Sequence, residues 1–472
     1  MKIEQIYTGC LAQGAYYIES KGEAVIIDPL REVDPYIEKA KANHSKIKYI
    51  FETHFHADFV SGHLDLAAKT GAKIVYGPQA NPSFDVHVAE DNEVFKVGDI
   101  SLKAIHTPGH TMESTCFLLS DEAGKDVAIF TGDTLFIGDV GRPDLAQKIT
   151  QDLTQETLAS HLFDSLRNRI MPLADDIMVY PAHGAGSACG KNMSKETFDT
   201  LGNQKQTNYA LNPKLTRGEF IAQVLDGLMP PPAYFPQNVL MNIQGYESLD
   251  KVMARGNKAL TPKEFETVAN ETGALVIDTR SQVAFKQAFI PNSIFIGIDG
   301  SFATWVGTLI PDLKQEILLV VDAGREEEVI TRLARVGYDF ALGYLDGGIE
   351  AWTKAGGEWD SLSSVTPAQL AQTIKTEAIE VLDVRKRSEY EAQHIDAAGV
   401  MNIPLASISE NMNKVDSDKT YYIHCAGGYR SVIAASILKS RGFDKLIDIE
   451  EGFDGIERTA IATTAFVCPS TL

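Results

Sequence analysis

Cysteine is scarce in this chain of 472 residues: there are five, at positions 10, 116, 189, 425 and 468. So few scattered thiols cannot build a disulfide framework, and an odd count leaves at least one free, so a reducing compartment is expected. Long apolar runs are missing too. None approaches the ~20 residues of a membrane-spanning helix, and the opening MKIEQIYTG lacks the charged-then-apolar build of a signal peptide. Basic residues are outnumbered, 43 Lys and Arg against 64 Asp and Glu, for a formal net charge of -21. Nucleic acid and anionic membrane are therefore not expected as partners, because both need clustered Lys and Arg. A cytoplasmic protein of about three domains, each burying its own core, is the expectation from length and composition.

A further absence is a single side chain. Thr53-His54-Phe55-His56-Ala57-Asp58-Phe59 follows an apolar, β-rich stretch at 47–51, placing two imidazoles and a carboxylate on the loop that leaves a strand. Phe59 cannot hold a metal. Three more candidates end predicted strands and begin Gly-containing turns: His110 after 100–105, Asp133 after 127–130 and His183 after 177–180. Such loops are expected to converge at one edge of a sheet. Taken singly, each residue would be an ordinary cap or a packed histidine. Six of them in this order point to a metal site, whereas His63, His87, His106 and His161 share no such pattern.

Over roughly the first half, these strand ends resemble the metallo-β-lactamase fold, an αββα sandwich with the pattern THxHxDH followed by a distant His, Asp and His. In its two-zinc members, the residue at the place of Phe59 is a histidine that shares the second metal with the residues matching Asp58 and His183. With Phe59 there, the second site keeps one carboxylate and one imidazole, too few for a closed cage. The resemblance implies that His54, His110 and Asp133 hold one Fe(II), with His56, Asp58 and His183 left as a vestigial or supporting set. Two imidazoles and a carboxylate with open positions suit non-haem iron and oxygen. Within the fold this is similar to the persulfide dioxygenases, which oxidise a thiol-bound sulfane sulfur to sulfite.

The second half repeats itself. Thr261-Pro262-Lys263-Glu264 and Thr366-Pro367-Ala368-Gln369 are both capping boxes, 105 residues apart, and the same offset relates Val276-Ile277-Asp278-Thr279-Arg280 to Val381-Leu382-Asp383-Val384-Arg385. Each copy continues with a second apolar strand, at 317–321 and 421–424, then a loop and a helix. Two α/β domains with parallel sheets are expected, at 259–360 and 361–472, behind a first domain at 1–240 and a linker at 241–258.

The loops after those strands differ. Copy two reads His424-Cys425-Ala426-Gly427-Gly428-Tyr429-Arg430-Ser431 before an amphipathic helix predicted at 432–439. A cysteine heading such a loop has backbone N–H groups and a helix N-terminus aimed at its sulfur, with Arg430 adding charge, which would stabilise an anionic persulfide. The loop resembles the rhodanese pattern CxxGxR, with Asp383 and Arg385 at the place of that family's DxR. It implies Cys425 as the sulfur-carrying nucleophile and Ala426, Gly427, Gly428, Tyr429, Arg430 and Ser431 as the substrate cradle. Copy one has Asp322 where copy two has Cys425, so an inactive rhodanese-like spacer is expected there. Copy one keeps Asp346-Gly347-Gly348 with Trp352, whereas copy two has Glu451-Gly452-Phe453 and no nearby Trp.

Other features are weaker. A capped helix from Thr216, with Glu219 in the capping box, should end before Met229-Pro230-Pro231-Pro232 and give way to an extended segment. Persulfide dioxygenases carry an Arg and an Asp near the thiol carrier where this chain has Arg142 and Asp144; an exposed salt bridge in a turn is the plainer reading. Cys189, just past His183, is a candidate sulfur relay or a plain loop thiol. Cys10 and Cys116 are expected to pack, and Cys468 to be incidental.

The whole chain resembles bacterial fusions of persulfide dioxygenase with tandem rhodanese domains. The implied substrates are a low-molecular-weight thiol persulfide, O2 and sulfite, with thiosulfate as product. A zinc thioester hydrolase of the glyoxalase II type with attached sulfurtransferase domains is the alternative, and a sulfur carrier or sensor a third. A homo-oligomer is left open.

Overall fold

The computed structural model describes residues 1–145, 153–228 and 230–468, and these divide into two compact units. The first unit takes in residues 1–252 with 311–313 and 331–339; the second takes in 253–310, 314–330 and 340–472.

Two six-stranded sheets build the first unit. One runs Lys2–Thr8, Gln13–Ser20, Glu23–Ile27, Lys46–Phe51, Lys73–Tyr76 and His87–Val88; the other runs Asp199–Thr200, Met178–Pro181, Asp126–Gly132, Thr115–Ser120, Ile100–His106 and Val94–Val97. Alternation of apolar residues gives each sheet an inner face, and Tyr16, Ile18, Phe51, Leu102, Phe117 and Phe130 meet between them. Helices cover the outer faces. Leu162, Leu166 and Phe220, for example, pack on Ile105, Leu118 and Ile129 of the second sheet. This is the αββα sandwich implied by the strand-end motifs, with Cys116 buried in a strand and Cys10 half-buried.

The second unit holds two five-stranded parallel sheets of identical strand order. Ala259–Leu260, Ala341–Leu345, Ile317–Val320, Leu275–Asp278 and Ile294–Phe295 form one, and Ser363–Val365, Leu446–Ile449, Tyr421–His424, Glu380–Asp383 and Val400–Asn402 the other. The duplicated DxR behaves alike in both copies. Arg280 donates to Asp278 (2.6 Å) and to the Ala288 carbonyl (2.7 Å), and Arg385 donates to Asp383 (2.6 Å) and to the Gln393 carbonyl (2.8 Å). The copies are not separate beads, since Phe285, Phe289 and Phe295 of the first join the core of the second.

Two local expectations are corrected. The helix Arg430–Lys439 buries every residue from Ser431 to Leu438 and is not amphipathic, because it is enclosed by its own sheet and by the first copy. After the capped helix Arg217–Leu225, the prolines lead not into an extended segment but to a second helix, Phe235–Gln244, with Pro236 in its first turn, where a missing N–H costs nothing. Met229 lies outside the described residues. Among the described residues, no helix is long and apolar enough to cross a membrane.

Candidate functional site

Strand ends deliver the candidate ligands. His54, His56 and Asp58 follow Lys46–Phe51, while His110, Asp133 and His183 follow Ile100–His106, Asp126–Gly132 and Met178–Pro181, and all six are buried. His54, His110 and Asp133 bring one donor atom each within reach of a single cation, and so do His56, Asp58 and His183. Asp133 is split between two sides. Its Oδ2 lies 3.9 Å from His54 Nε2 and 3.4 Å from His110 Nε2, while Oδ1 lies 3.6 Å from His183 Nε2. These gaps are long for hydrogen bonds but match donor atoms that share a cation at about 2.0–2.2 Å. Neither Asp133 oxygen, nor His183 Nε2, has a hydrogen-bond partner among the described residues. A buried unpaired carboxylate is costly to keep charged, and a bound cation removes the cost. The donor set therefore fits a metal.

Hydrogen bonds on the far side of each ring decide which nitrogen faces inward. His54 Nδ1 meets the Thr53 hydroxyl at 3.0 Å, and that hydroxyl donates to Asp28 Oδ2 at 2.8 Å, so it accepts from the ring. His110 Nδ1 donates to the Arg142 carbonyl (2.8 Å) and His183 Nδ1 to the Ala12 carbonyl (3.2 Å). Each Nε2 is thus the atom presented to a cation. Burial, helped by the neighbouring imidazoles, holds His54 far below its ordinary value and keeps it neutral. For His183, burial opposes charge, but the Asp58 and Asp133 carboxylates outweigh it and raise it well above the ordinary value; a cation there replaces the proton.

His56 has another engagement. Its Nε2 sits 3.1 Å from Asp28 Oδ1 and 3.5 Å from Glu52 Oε2. Burial works against its charge, yet the two carboxylates prevail and raise it to about 10, while burial pushes Glu52 up to about 7. Phe59, fully buried, lies against the His56 ring with centroids 4.3 Å apart. One consequence is testable: Thr53→Val removes the hydroxyl between Asp28 and His54, and metal affinity, read by chelator competition, is expected to fall ~10–100-fold. A change below about twofold would show that the hydroxyl does not orient the ring.

Sequence reasoning missed Asp28, Glu52 and Asn242. The Asn242 amide donates to the His56 (2.8 Å) and Phe59 (2.9 Å) carbonyls, and its oxygen accepts the Ser61 N–H (3.0 Å), so one side chain clamps the ligand loop. The available signal was a pair of asparagines, Asn238 and Asn242, four apart in a helix they do not favour. Arg142 is the reverse case. Its guanidinium grips Asp144 through both oxygens (2.7 and 2.8 Å) and reaches the Ala188 carbonyl (3.1 Å), with Arg142 buried and Asp144 partly buried rather than exposed. Cys189 is buried beside Asp133 and His183. Burial first, then the Asp58 and Asp133 charges, pushes its thiol up to about 12.

In the second unit, Cys425 follows Tyr421–His424. The Gly428 N–H donates to its Sγ at 3.1 Å, and Ser431 Oγ lies 3.7 Å from the sulfur while donating to Asp448 (2.7 Å). Gly427 and Gly428 open the turn, the latter at φ 86°. The Trp-less segment does pack on the loop: the Phe453 and Asp454 N–H groups donate to the Cys425 (2.7 Å) and Ala426 (3.1 Å) carbonyls, and a Cβ on Gly452 would meet both carbonyl oxygens at 2.4 Å. The charge expected of Arg430 is already engaged. Its guanidinium pairs with both oxygens of Glu389 (2.7 and 2.8 Å), which leaves backbone N–H as the main donor to the sulfur. Tyr429 turns toward copy one, donating to the Gly297 carbonyl (2.7 Å) with its ring over Gly300. Gly300→Ala would set a Cβ 2.3 Å from that ring. It is expected to cost about 1–3 kcal/mol in a denaturant melt and to slow sulfur transfer through Tyr429; an unchanged melt and rate would show that the contact does not brace the loop.

Comparison with known proteins follows the same division. A model of the metallo-beta-lactamase superfamily matches residues 8–183, and a model of the rhodanese-like domain matches 261–355 and 366–459. A probable hydroxyacylglutathione hydrolase of Schizosaccharomyces pombe is 32% identical over 198 residues, covering 41% of this chain and 72% of that protein. Hydroxyacylglutathione hydrolase GloC of Haemophilus influenzae is 28% identical over 236 residues, 45% of this chain and 100% of its own length. A crystal structure described as a metallo-beta-lactamase from Staphylococcus aureus superposes with a TM-score of 0.64 at 33% identity, covering 73% of this chain and 98% of that one.

Proposed function

We propose, for a chain that belongs to the metallo-beta-lactamase superfamily and continues into two rhodanese-like domains, that it is a non-haem iron(II) persulfide dioxygenase with a thiosulfate-forming sulfurtransferase attached. The observation that carries this reading is the gathering of His54, His110 and Asp133 while His56 is held by Asp28 and Glu52 and position 59 is phenylalanine. Two imidazoles and one carboxylate leave open positions of the kind that suit iron(II) and oxygen. Iron(II) held there would supply the activation of dioxygen. The chain's own part is orientation: Thr53 and Asp28 fix His54, and the Arg142 carbonyl fixes His110. In the balanced reaction, a low-molecular-weight thiol persulfide, O2 and water give the thiol, sulfite and two protons.

At the second site the Cys425 thiolate takes the outer sulfur of another persulfide, releasing its thiol. Sulfite attacks that sulfur, thiosulfate leaves, and the thiolate returns; the Gly428 N–H faces the charge throughout. Joining both sites in one chain raises the effective sulfite concentration at Cys425. Cys10, Cys116, Cys189 and Cys425 are free thiols, as suits a cytoplasmic enzyme of sulfide and persulfide detoxification.

A second reading, a thioester hydrolase of the glyoxalase II type, draws on the relatives named as hydroxyacylglutathione hydrolases. The deciding experiment is oxygen uptake by the iron(II)-loaded full-length protein given a small-molecule persulfide, beside thioester cleavage by the zinc-loaded protein. Uptake matched by sulfite supports the dioxygenase; cleavage without uptake moves the assignment to the hydrolase.

A further inference from the structure

A chain of hydrogen bonds leads from the Cys425 sulfur to a buried carboxylate. The thiol donates to Ser431 Oγ (3.7 Å), that hydroxyl donates to Asp448 Oδ1 (2.7 Å), and Asp448 Oδ2 accepts from Lys286 Nζ (3.0 Å). Lys286 belongs to the helix Gln282–Gln287, so the cysteine-less copy supplies the cation. Cys425, Ser431 and Asp448 are each no more than 1% exposed, so the thiol proton meets the serine oxygen rather than bulk water. Neighbouring charges are engaged elsewhere. Arg430 pairs with Glu389 and Arg385 with Asp383, while burial holds His424 below its ordinary value and keeps it neutral. Burial also raises Asp448 above the usual carboxylate range, although Lys286 and Ser431 favour its charged form. A carboxylate so placed takes up a proton readily. Lys286 keeps a partner when it does, since Glu450 lies 3.8 Å from its nitrogen. Copy one has a tyrosine at the matching register: Tyr344 lies opposite Leu319 as Asp448 lies opposite Ile423, the third residue of each neighbouring strand.

We propose that Asp448 holds the thiol proton while Cys425 carries sulfur, receiving it through Ser431 and returning it when thiosulfate leaves, an inference that rests on the sulfurtransferase reading of this loop. On loading, the Cys425 S–H bond breaks, its proton moves to Ser431 Oγ, and the Ser431 proton moves to Asp448. The freed electron pair bonds to the outer sulfur of the persulfide, whose S–S bond breaks toward the leaving thiolate; the persulfide's own proton leaves with it as thiol. Loading oxidises the Cys425 sulfur and reduces that of the carrier. Sulfite then attacks the outer sulfur, the bond to Cys425 breaks, and thiosulfate leaves. Release reduces Cys425, oxidises sulfite to thiosulfate, and brings the proton back through Ser431. An anionic persulfide therefore sits beside a neutral carboxyl, never beside a second anion in a desolvated space. Relieved of Asp448, the Ser431 hydroxyl turns to donate to the loaded sulfur. Asp448 and Lys286 position and balance the site without touching substrate.

The test loads the full-length protein anaerobically with thiosulfate, by the reverse of the release step, and follows two signals. Mass spectrometry counts the added sulfur, and infrared difference spectra look for the carbonyl band of a protonated carboxyl, which shifts in D2O. Wild type is expected to gain one sulfur together with the band. Asp448→Asn should load at least about a hundredfold more slowly and without the band. Ser431→Ala, which leaves Asp448 in place, should show the same slow loading and the same missing band. Loaded wild type without the band, a band that persists in Asp448→Asn, or Ser431→Ala loading at the wild-type rate would overturn this proposal alone. No added sulfur in wild type would overturn the sulfurtransferase reading and this proposal with it.

Discussion

His110→Ala is expected to reduce oxygen uptake by at least about a hundredfold, since loss of an outer-shell partner alone typically costs 10–100-fold and His110 is itself a ligand candidate. The structure gives the reason. His110 Nε2 is 3.4 Å from Asp133 Oδ2, its other nitrogen is tied to the Arg142 carbonyl, and the ring is almost entirely buried. Alanine leaves one imidazole and one carboxylate, and it opens a polar cavity that water would enter. Iron content by mass spectrometry should fall with activity, while circular dichroism stays unchanged. Cys425 lies in the other unit and should still accept sulfane sulfur. Uptake within about threefold of wild type, with iron retained, would remove His110 from the ligand set; RT ln 3 is only about 0.65 kcal/mol, far less than the loss of a metal–nitrogen bond.

Cys425→Ser is expected to bring thiosulfate formation to background while sulfite appears at the wild-type rate. Serine preserves the shape of the loop, and the Gly428 N–H that meets Sγ at 3.1 Å can meet a hydroxyl instead, so the fold should survive. What disappears is the atom able to carry a sulfane sulfur. Copy one has already made an equivalent loss, with Asp322 in the matching place. Quantifying sulfite and thiosulfate together separates the two sites in one assay. Thiosulfate persisting at more than a few per cent of the wild-type rate would mean that transfer runs elsewhere, and it would turn attention to Cys189.

Much of this molecule was written locally in the chain. The strand-to-loop switches that carry His54, His110, Asp133 and His183 follow short apolar runs, the last three with a glycine beside the ligand (Gly109, Gly132 and Gly184), and the duplication shows because Asp278-Thr279-Arg280 and Asp383-Val384-Arg385 form the same closed ion pair from residues two apart. Such interactions need no distant partner, so sequence alone reveals them. The absence of an imidazole at position 59 was legible for the same reason.

Tertiary structure decided everything that depends on residues far apart. The positive charge that Arg430 brings to the loop is paired directly with Glu389, 41 residues earlier. Nothing near Asn242 in the chain says that it clamps the His56 loop from 186 residues away, and nothing near Cys189 says that it arrives beside Asp133. Sequence fixes which groups can bind a cation, donate or carry sulfur, because that is covalent chemistry. Folding decides which of those groups share a desolvated space, and there a few ångströms determine whether a charge is spent on its neighbour or left for a ligand.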